Sequence, residues 1–302
     1  MSSYYQALQH AVNQDFDIIS VSWSVKDEKI SLVNENGVFE EANASQLLQD
    51  ALTTAASQGK LVFCSSPDLG NITKEEARTH FPVGCEGNIF RIGAATADRL
   101  PWSTAGGPNV VDHTFPGHDV PEKNGDGPVV RQRQQDTLHT GSSVATALAA
   151  GLAAQIIHIV RLAAMYSCRH HTPNPASGPH GSDGKRPLRN LENLDLVQSF
   201  FSIKEYKNMK KLFVRMQESG NTYVHVYDTF NTYVNQLAVS SDMNPYDNIS
   251  EMMMTASGSK EERKWTSICE LANRLMPARS TSGTNTNTLA AEGRVLTTTV
   301  PV

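Results

Sequence analysis

The segment TGSSVATALAAG (140–151) sets a Gly-Ser-Ser turn against the start of a long apolar, helix-forming run. A serine at such a turn is a preferred helix cap, because its oxygen can accept from an otherwise unpaired amide of the first turn. The same place favours developing negative charge, since free N–H groups and the positive end of the helix dipole converge there. The serines of this turn, Ser142 and Ser143, therefore read two ways from the segment: as a cap, or with one of them as the nucleophile of an acyl transfer. A nucleophilic serine needs a base, because an unassisted hydroxyl is a poor nucleophile at neutral pH. His10, His80, His113, His118, His139 and His158 are available in the chain. His139 is nearest in sequence, but four residues of separation do not aim an imidazole at a hydroxyl, and it reads as a loop residue. Asp17 at a strand start and Asp112 in a loop read as structural.

The elements that must position such a serine follow from periodicity. Apolar residues at Ala44, Leu47, Leu48, Ala51, Leu52, Ala55 and Ala56 predict a helix that stops at Gly59. Short apolar runs at 16–23, 60–66 and 88–96 predict strands covered on both faces. With a helix over about 3–14 and a long one starting near Ser143, the pattern is α/β, a doubly wound and mostly parallel sheet. The apolar run 144–160 reads as a buried core helix rather than a membrane span, being interrupted by Thr146, Gln155 and His158.

Composition changes after Cys168. Residues 169–189 are dense in Pro, Gly, Ser and His and read as a disordered linker. His170, His171 and His180 there lack Cys or acidic companions at metal-ligand spacing, so no metal site is expected. A mainly helical extension follows over 190–276, with Ile203, Tyr206, Met209, Phe213 and Met216 on one face, a strand-like TYVHVYD and a last helix carrying Trp265 and Leu271. Met252 to Met254 read as packing residues. The tail, 277–302, is polar and reads as disordered.

A net charge of −5, 39% hydrophobic and 19% charged residues argue against nucleic acid or a membrane surface as partner. Cys64, Cys85, Cys168 and Cys269 have no C-x-x-C spacing and read as small hydrophobes. No phosphate-binding glycine loop is present, and no cofactor is expected. The first residues have neither a basic nor an apolar signal region, so the expectation is a cytoplasmic protein.

Several segments together resemble the subtilisin-like serine peptidases, the subtilases. TGSSVATALAAG is similar to their nucleophile motif G-T-S-x-A-[TSP]-x-x-A-G, with Gly141, Ser143, Ala145, Thr146 and Gly151 on the pattern and Ser142 in place of Thr. DIISVSWS (17–24) resembles the strand V-I-N-x-S-x-G whose edge takes the substrate as an added strand. The resemblance thus assigns substrate binding to Ser22, Trp23 and Ser24, the last replacing a Gly. LVFCSSPDLGN (61–71) looks like V-x-A-A-G-N-x-G, which adds Ser65 and Ser66 to the substrate side and puts Asp68 where the family carries its oxyanion-stabilising Asn. An ionised Asp cannot donate a hydrogen bond, so Asp68 serves as a donor only when protonated. Residues 81–96 and 109–120 resemble two further family segments, and the likeness covers roughly 1–168.

By resemblance, then, residues 1–168 are the C-terminal portion of a subtilase catalytic domain, with Ser143 as nucleophile and a polypeptide as substrate. In subtilases the triad runs Asp, His, Ser, and the D-[ST]-G and H-G-T motifs precede the helix matched by this chain's first residues. The expectation is a chain that lacks that Asp and His, is inactive alone and is poorly soluble or needs a partner, with the missing half supplied by a longer transcript, a fuller gene model or a partner chain. The alternatives are a decayed subtilase fold used as a peptide-binding module, and an unrelated α/β protein in which Ser143 only caps a helix.

Overall fold

The computed structural model describes residues 3–26, 29–33, 39–122, 137–170, 200–217, 219–227, 229–231 and 259–276. The expected linker from 171 onward, including His171 and His180, the Met252 to Met254 run and the tail from 277 lie outside the described residues.

The chain opens with α1 (Ser3–Asn13), β1 (Ile18–Val21), β2 (Val25–Lys26), β3 (Lys29–Val33), β4 (Phe39–Asn43) and α2 (Ala44–Ser57). It continues through β5 (Leu61–Ser65), α3 (Lys74–Ala77), β6 (His80–Phe81), β7 (Ile89–Ala95), β8 (His113–Pro116), β9 (Val120–Pro121) and β10 (Leu138–His139). The helices α4 (Ser142–His170), α5 (Tyr206–Met216) and α6 (Ser259–Leu275) follow. Helix α2 ends as its sequence requires: Gly59, at φ 74°, donates to Ala56 O, and Lys60 N returns to Ala55 O.

Four parallel strands form the central sheet in the order β1-β5-β7-β8. Alternation along each strand splits the core in two. Val62, Cys64 and Ile89 face Leu8 and Val12 of α1 and Leu48, Leu52 and Ala55 of α2. Phe63, Phe90, Ile92 and Phe115 face the other helical layer. That layer is led by α4, whose Ala145, Ala149 and Ala153, four residues apart, are fully buried and let a 29-residue helix lie close to the sheet. α4 is thus a core helix on one side, although by length and composition it could cross a membrane and part of its surface, including Leu148, is exposed. Cys64 and Cys85 are buried in the first layer, while Cys269 is half-buried.

Helices α5 and α6 belong to this same core. Met209, Leu212, Phe213 and Met216 of α5, with Leu271, Ala272 and Leu275 of α6, share one cluster with Phe63, Phe90 and Phe115. In the TYVHVYD segment, Tyr223 and Val224 form isolated bridges rather than a strand. Thr114 N donates to Thr222 O at 2.9 Å and Val224 N to Thr114 O at 3.0 Å, so residues 222–224 flank the free side of β8. Among the described residues, β1 at the opposite edge pairs only with β5. The antiparallel pairs β3-β4, β2-β6 and β9-β10 were not anticipated; five-residue or shorter polar strands carry little periodicity.

Asp112 and His113 tie the extension to the sheet. Asp112 accepts from Lys210 Nζ at 3.1 Å and lies 3.5 Å from Arg91 Nη1; Gln217 Nε2 lies 2.8 Å from His113 Nδ1. Burial pushes the His113 imidazole down to about 4, a shift opposed by the charge of Asp112 and reinforced by that of Lys210. A depressed folded-state value means that the unfolded chain binds this proton first. Stability is therefore retained above about pH 6.5 and falls as pH drops toward 4, by about 3 kcal/mol from this group. Urea unfolding at pH 7.5 and 4.5 checks this: His113→Gln should flatten the difference, and an unchanged pH slope would refute it.

Candidate active site

The carboxyl end of the sheet gathers the residues that the sequence singles out. β1 and β5 run side by side with Val21 opposite Cys64, so Ser22–Ser24 and Ser65–Ser66 leave the sheet together at that end. Ser143 sits in the first turn of α4, half-exposed, above the carboxyl ends of β7 and β8. Gly117, just past β8, accepts from Gly141 N at 2.7 Å and so fixes where α4 begins.

Ser22 Oγ reaches the carbonyl oxygen of Ser143 at 3.4 Å, joining the β1 exit to the helix start. Trp23 packs its ring against that of Tyr4, with centroids 4.9 Å apart. Ser65 and Ser66 are buried, and the hydroxyls of Ser24 and Ser66 have no hydrogen-bond partner among the described residues. Trp23, Ser24, Ser65 and Ser66 thus share the carboxyl end of the sheet with Ser143 without a hydrogen bond to its hydroxyl among the described residues.

Asp68, at φ 49°, turns back toward α4. Its Oδ2 accepts from Ser142 N at 2.9 Å and its Oδ1 from Ser142 Oγ at 2.5 Å. Ser142 is fully buried, and its Oγ also accepts from Ala94 N at 3.1 Å. A Cβ built on Gly141 would stand 3.1 Å from Ser143 Oγ and 3.4 Å from Asp68 Oδ2, which brings the hydroxyl and the carboxylate around one point. Only glycine leaves that point empty at the φ of 147° found there. Ser142, not singled out in the sequence, is the residue that holds Asp68; its hydroxyl one place before Ser143 was the available signal.

The histidines lie elsewhere. Among the described residues, no histidine or carboxylate hydrogen-bonds Ser143 Oγ. His139 Nε2 pairs with Glu122 Oε2 at 3.3 Å and His118 with Asp119 at 3.2 Å, while His113 is enclosed behind the sheet's aromatic face. Asp17 forms an ion pair with Lys204, and Asp112 serves the bridge described above. Among the described residues, no cluster of His, Cys, Asp or Glu could hold a metal ion.

The model of the Subtilase family matches residues 1–185, more than half of the chain. The chain belongs to the subtilase family. Solved structures resemble this subtilase chain more distantly. The structure of the prenylagaramide maturation protease PagA shares 18% identity and a TM-score of 0.35, covering 56% of this chain and 52% of its own. The crystal structure of a lanthipeptide protease shares 20% identity and a TM-score of 0.39, covering 56% and 53%. Proteases from Pseudoalteromonas arctica PAMC 21717 share 18% identity and a TM-score of 0.34, covering 49% and 40%. The subtilase chain spans about half the length of the first two. No curated protein matches its sequence.

Proposed function

We propose that this chain carries the serine half of a subtilase site: Ser143 is the nucleophile of a serine-type endopeptidase, and the substrate is a polypeptide lying along Ser22–Ser24 and Ser65–Ser66. The observation that carries the reading is the placement of Ser143 in the first turn of α4, half-exposed, beside Asp68 and joined to the β1 exit through Ser22. At that position the helix dipole favours charge on an attacked carbonyl oxygen.

The 302 residues contain neither a D-[ST]-G nor an H-G-T motif, so the base that would take the Ser143 proton is to be supplied by a further polypeptide segment. Among the described residues, β1 pairs on one side only, and its other edge, next to the site, is where such a segment can add as a strand. The chain alone is expected not to turn over peptides. Incubation with a fluorophosphonate probe followed by peptide mapping tests this: slow or absent labelling at Ser143, and no peptide hydrolysis, is the expected result. Strong labelling that disappears in Ser143→Ala would show that the chain holds its own base.

The second reading, a non-catalytic peptide-binding module, is favoured by Asp68. Both oxygens of its carboxylate accept hydrogen bonds, and neither is placed as a donor. Peptide binding that survives Ser143→Ala, with no hydrolysis after any complementing segment is added, would select this reading.

A further inference from the structure

We infer that Ser142 is a positioning residue that clamps Asp68 as a fixed hydrogen-bond acceptor, an anionic brake on oxyanion formation at Ser143. The inference rests on the reading of Ser143 as nucleophile. Four contacts build the clamp. Ser142 N and Oγ donate to the two Asp68 oxygens, Ser142 Oγ accepts from Ala94 N on β7, and Thr146 Oγ1 donates to Ser142 O at 2.7 Å. The clamp is therefore anchored to the sheet on one side and to α4 on the other.

Ser142 is wholly buried and its bonds to Ala94 and Thr146 are shielded, whereas the half-buried Asp68 leaves its two bonds open to water only from the carboxylate side. Asp68 adopts a left-handed backbone at φ 49°, a conformation that Asp tolerates better than most residues. The carboxylate thus stays at the helix start, where its charge is offset by the amide and the dipole. An oxygen that gains negative charge beside Ser143 meets this carboxylate as a like charge.

The clamp is reversible by chemistry at one atom. In Asp68→Asn, the amide oxygen can keep the bond from Ser142 N. Its NH2 group then donates one hydrogen to Ser142 Oγ, which still accepts from Ala94 N through its other lone pair. The second amide hydrogen is left free to meet an oxyanion. The Ser142 N–H, which can only donate, selects this orientation, and the hydroxyl of residue 142 holds the NH2 end in place, so the gain requires it.

Two readouts on the full chain test the clamp. The first is the rate of fluorophosphonate labelling at Ser143, compared for the parent chain, Asp68→Asn and Asp68→Asn with Ser142→Ala or Ser142→Thr. Asp68→Asn is expected to label at least about tenfold faster; for scale, loss of the one Asn donor in subtilisin itself costs about 10²–10³ in rate. Ser142→Ala should remove most of that gain and Ser142→Thr should retain it.

The second readout needs no nucleophile. In a Ser143→Ala background, methylphosphonate is titrated against the backbone amide of residue 143 by NMR, with and without Asp68→Asn. The expected result is at least about tenfold tighter anion binding with the amide side chain. Thermal melts confirm that each variant is folded. Equal anion affinity and equal labelling with and without Asp68→Asn, in folded chains, would overturn the clamp. Tighter anion binding with no labelling in any variant, even after a segment supplying the base is added, would uphold the clamp and overturn Ser143 as the nucleophile.

Discussion

Replacing Phe213 by Ala is expected to destabilise the whole α/β fold by about 3–5 kcal/mol, although this residue lies in the C-terminal helical part. Phe213 is fully buried on α5. Its ring lies 5.6 Å from Phe90 and from Phe115, 6.2 Å from Phe63 and 5.4 Å from the edge-on ring of His113. Those partners belong to β5, β7 and β8. Truncation therefore opens a cavity at the centre of the sheet's aromatic face, and close-packed surroundings collapse into it only in part.

Against a typical total stability of about 5–15 kcal/mol, the loss removes a large fraction. Urea unfolding followed both by far-ultraviolet circular dichroism and by tryptophan fluorescence checks it. A single transition, shifted to lower urea in both signals, is expected. Val214→Ala is the control: that side chain is 51% exposed, and its loss should move the midpoint little. A Phe213→Ala chain that unfolds like the parent, or in two separate steps, would show that α5 is an appendage rather than part of the core.

That coupling was not legible in the sequence, whereas much of the sheet was. The runs around Phe63 and Ile92 are apolar on both faces and suit covered parallel strands, whereas β1 around Ile19, at the sheet edge, leaves Ser20 exposed. The α2 pattern and Gly59 fixed that helix and its stop for local reasons. The amphipathic face of α5 was equally clear, but periodicity says which side of a helix is buried and not against what. Joining Phe213 to Phe90 depends on a contact across more than a hundred residues of chain.

The site shows the same division. Ser143 at a helix start follows from its own segment, and Asp68 was found by resemblance. What occupies the Asp68 carboxylate was not readable, because Ser142 Oγ meets it only once the β5 exit and α4 are brought together. The short pairs β2-β6 and β9-β10 escaped for a related reason, since two-residue strands exist only through their partners.

The second large effect is expected at Gly117, a residue with no chemistry of its own. A Cβ there would stand 2.8 Å from Ala94 Cβ, 2.9 Å from Gly141 O and 3.0 Å from Ala145 Cβ. None of these neighbours is the far end of a flexible side chain; two are methyls on buried backbone and one is the carbonyl at the α4 start. Relief requires moving β7, the 141 turn or the first turn of α4. Overpacking of this kind costs about 1–3 kcal/mol.

The displacement also falls on the Gly141 N to Gly117 O bond, and through it on Ser142 and Ser143. Gly117→Ala should therefore lower the melting temperature and, in a chain bearing Asp68→Asn, reduce labelling at Ser143 by about tenfold or more, on the order expected when positioning shifts by a fraction of an ångström to an ångström. The neighbouring His118→Ala, which alters a half-exposed side chain beside Trp102 and leaves the glycine contact intact, should spare labelling. If Gly117→Ala melts lower yet labels at the Asp68→Asn rate, the β8 exit supports the fold without setting the position of Ser143.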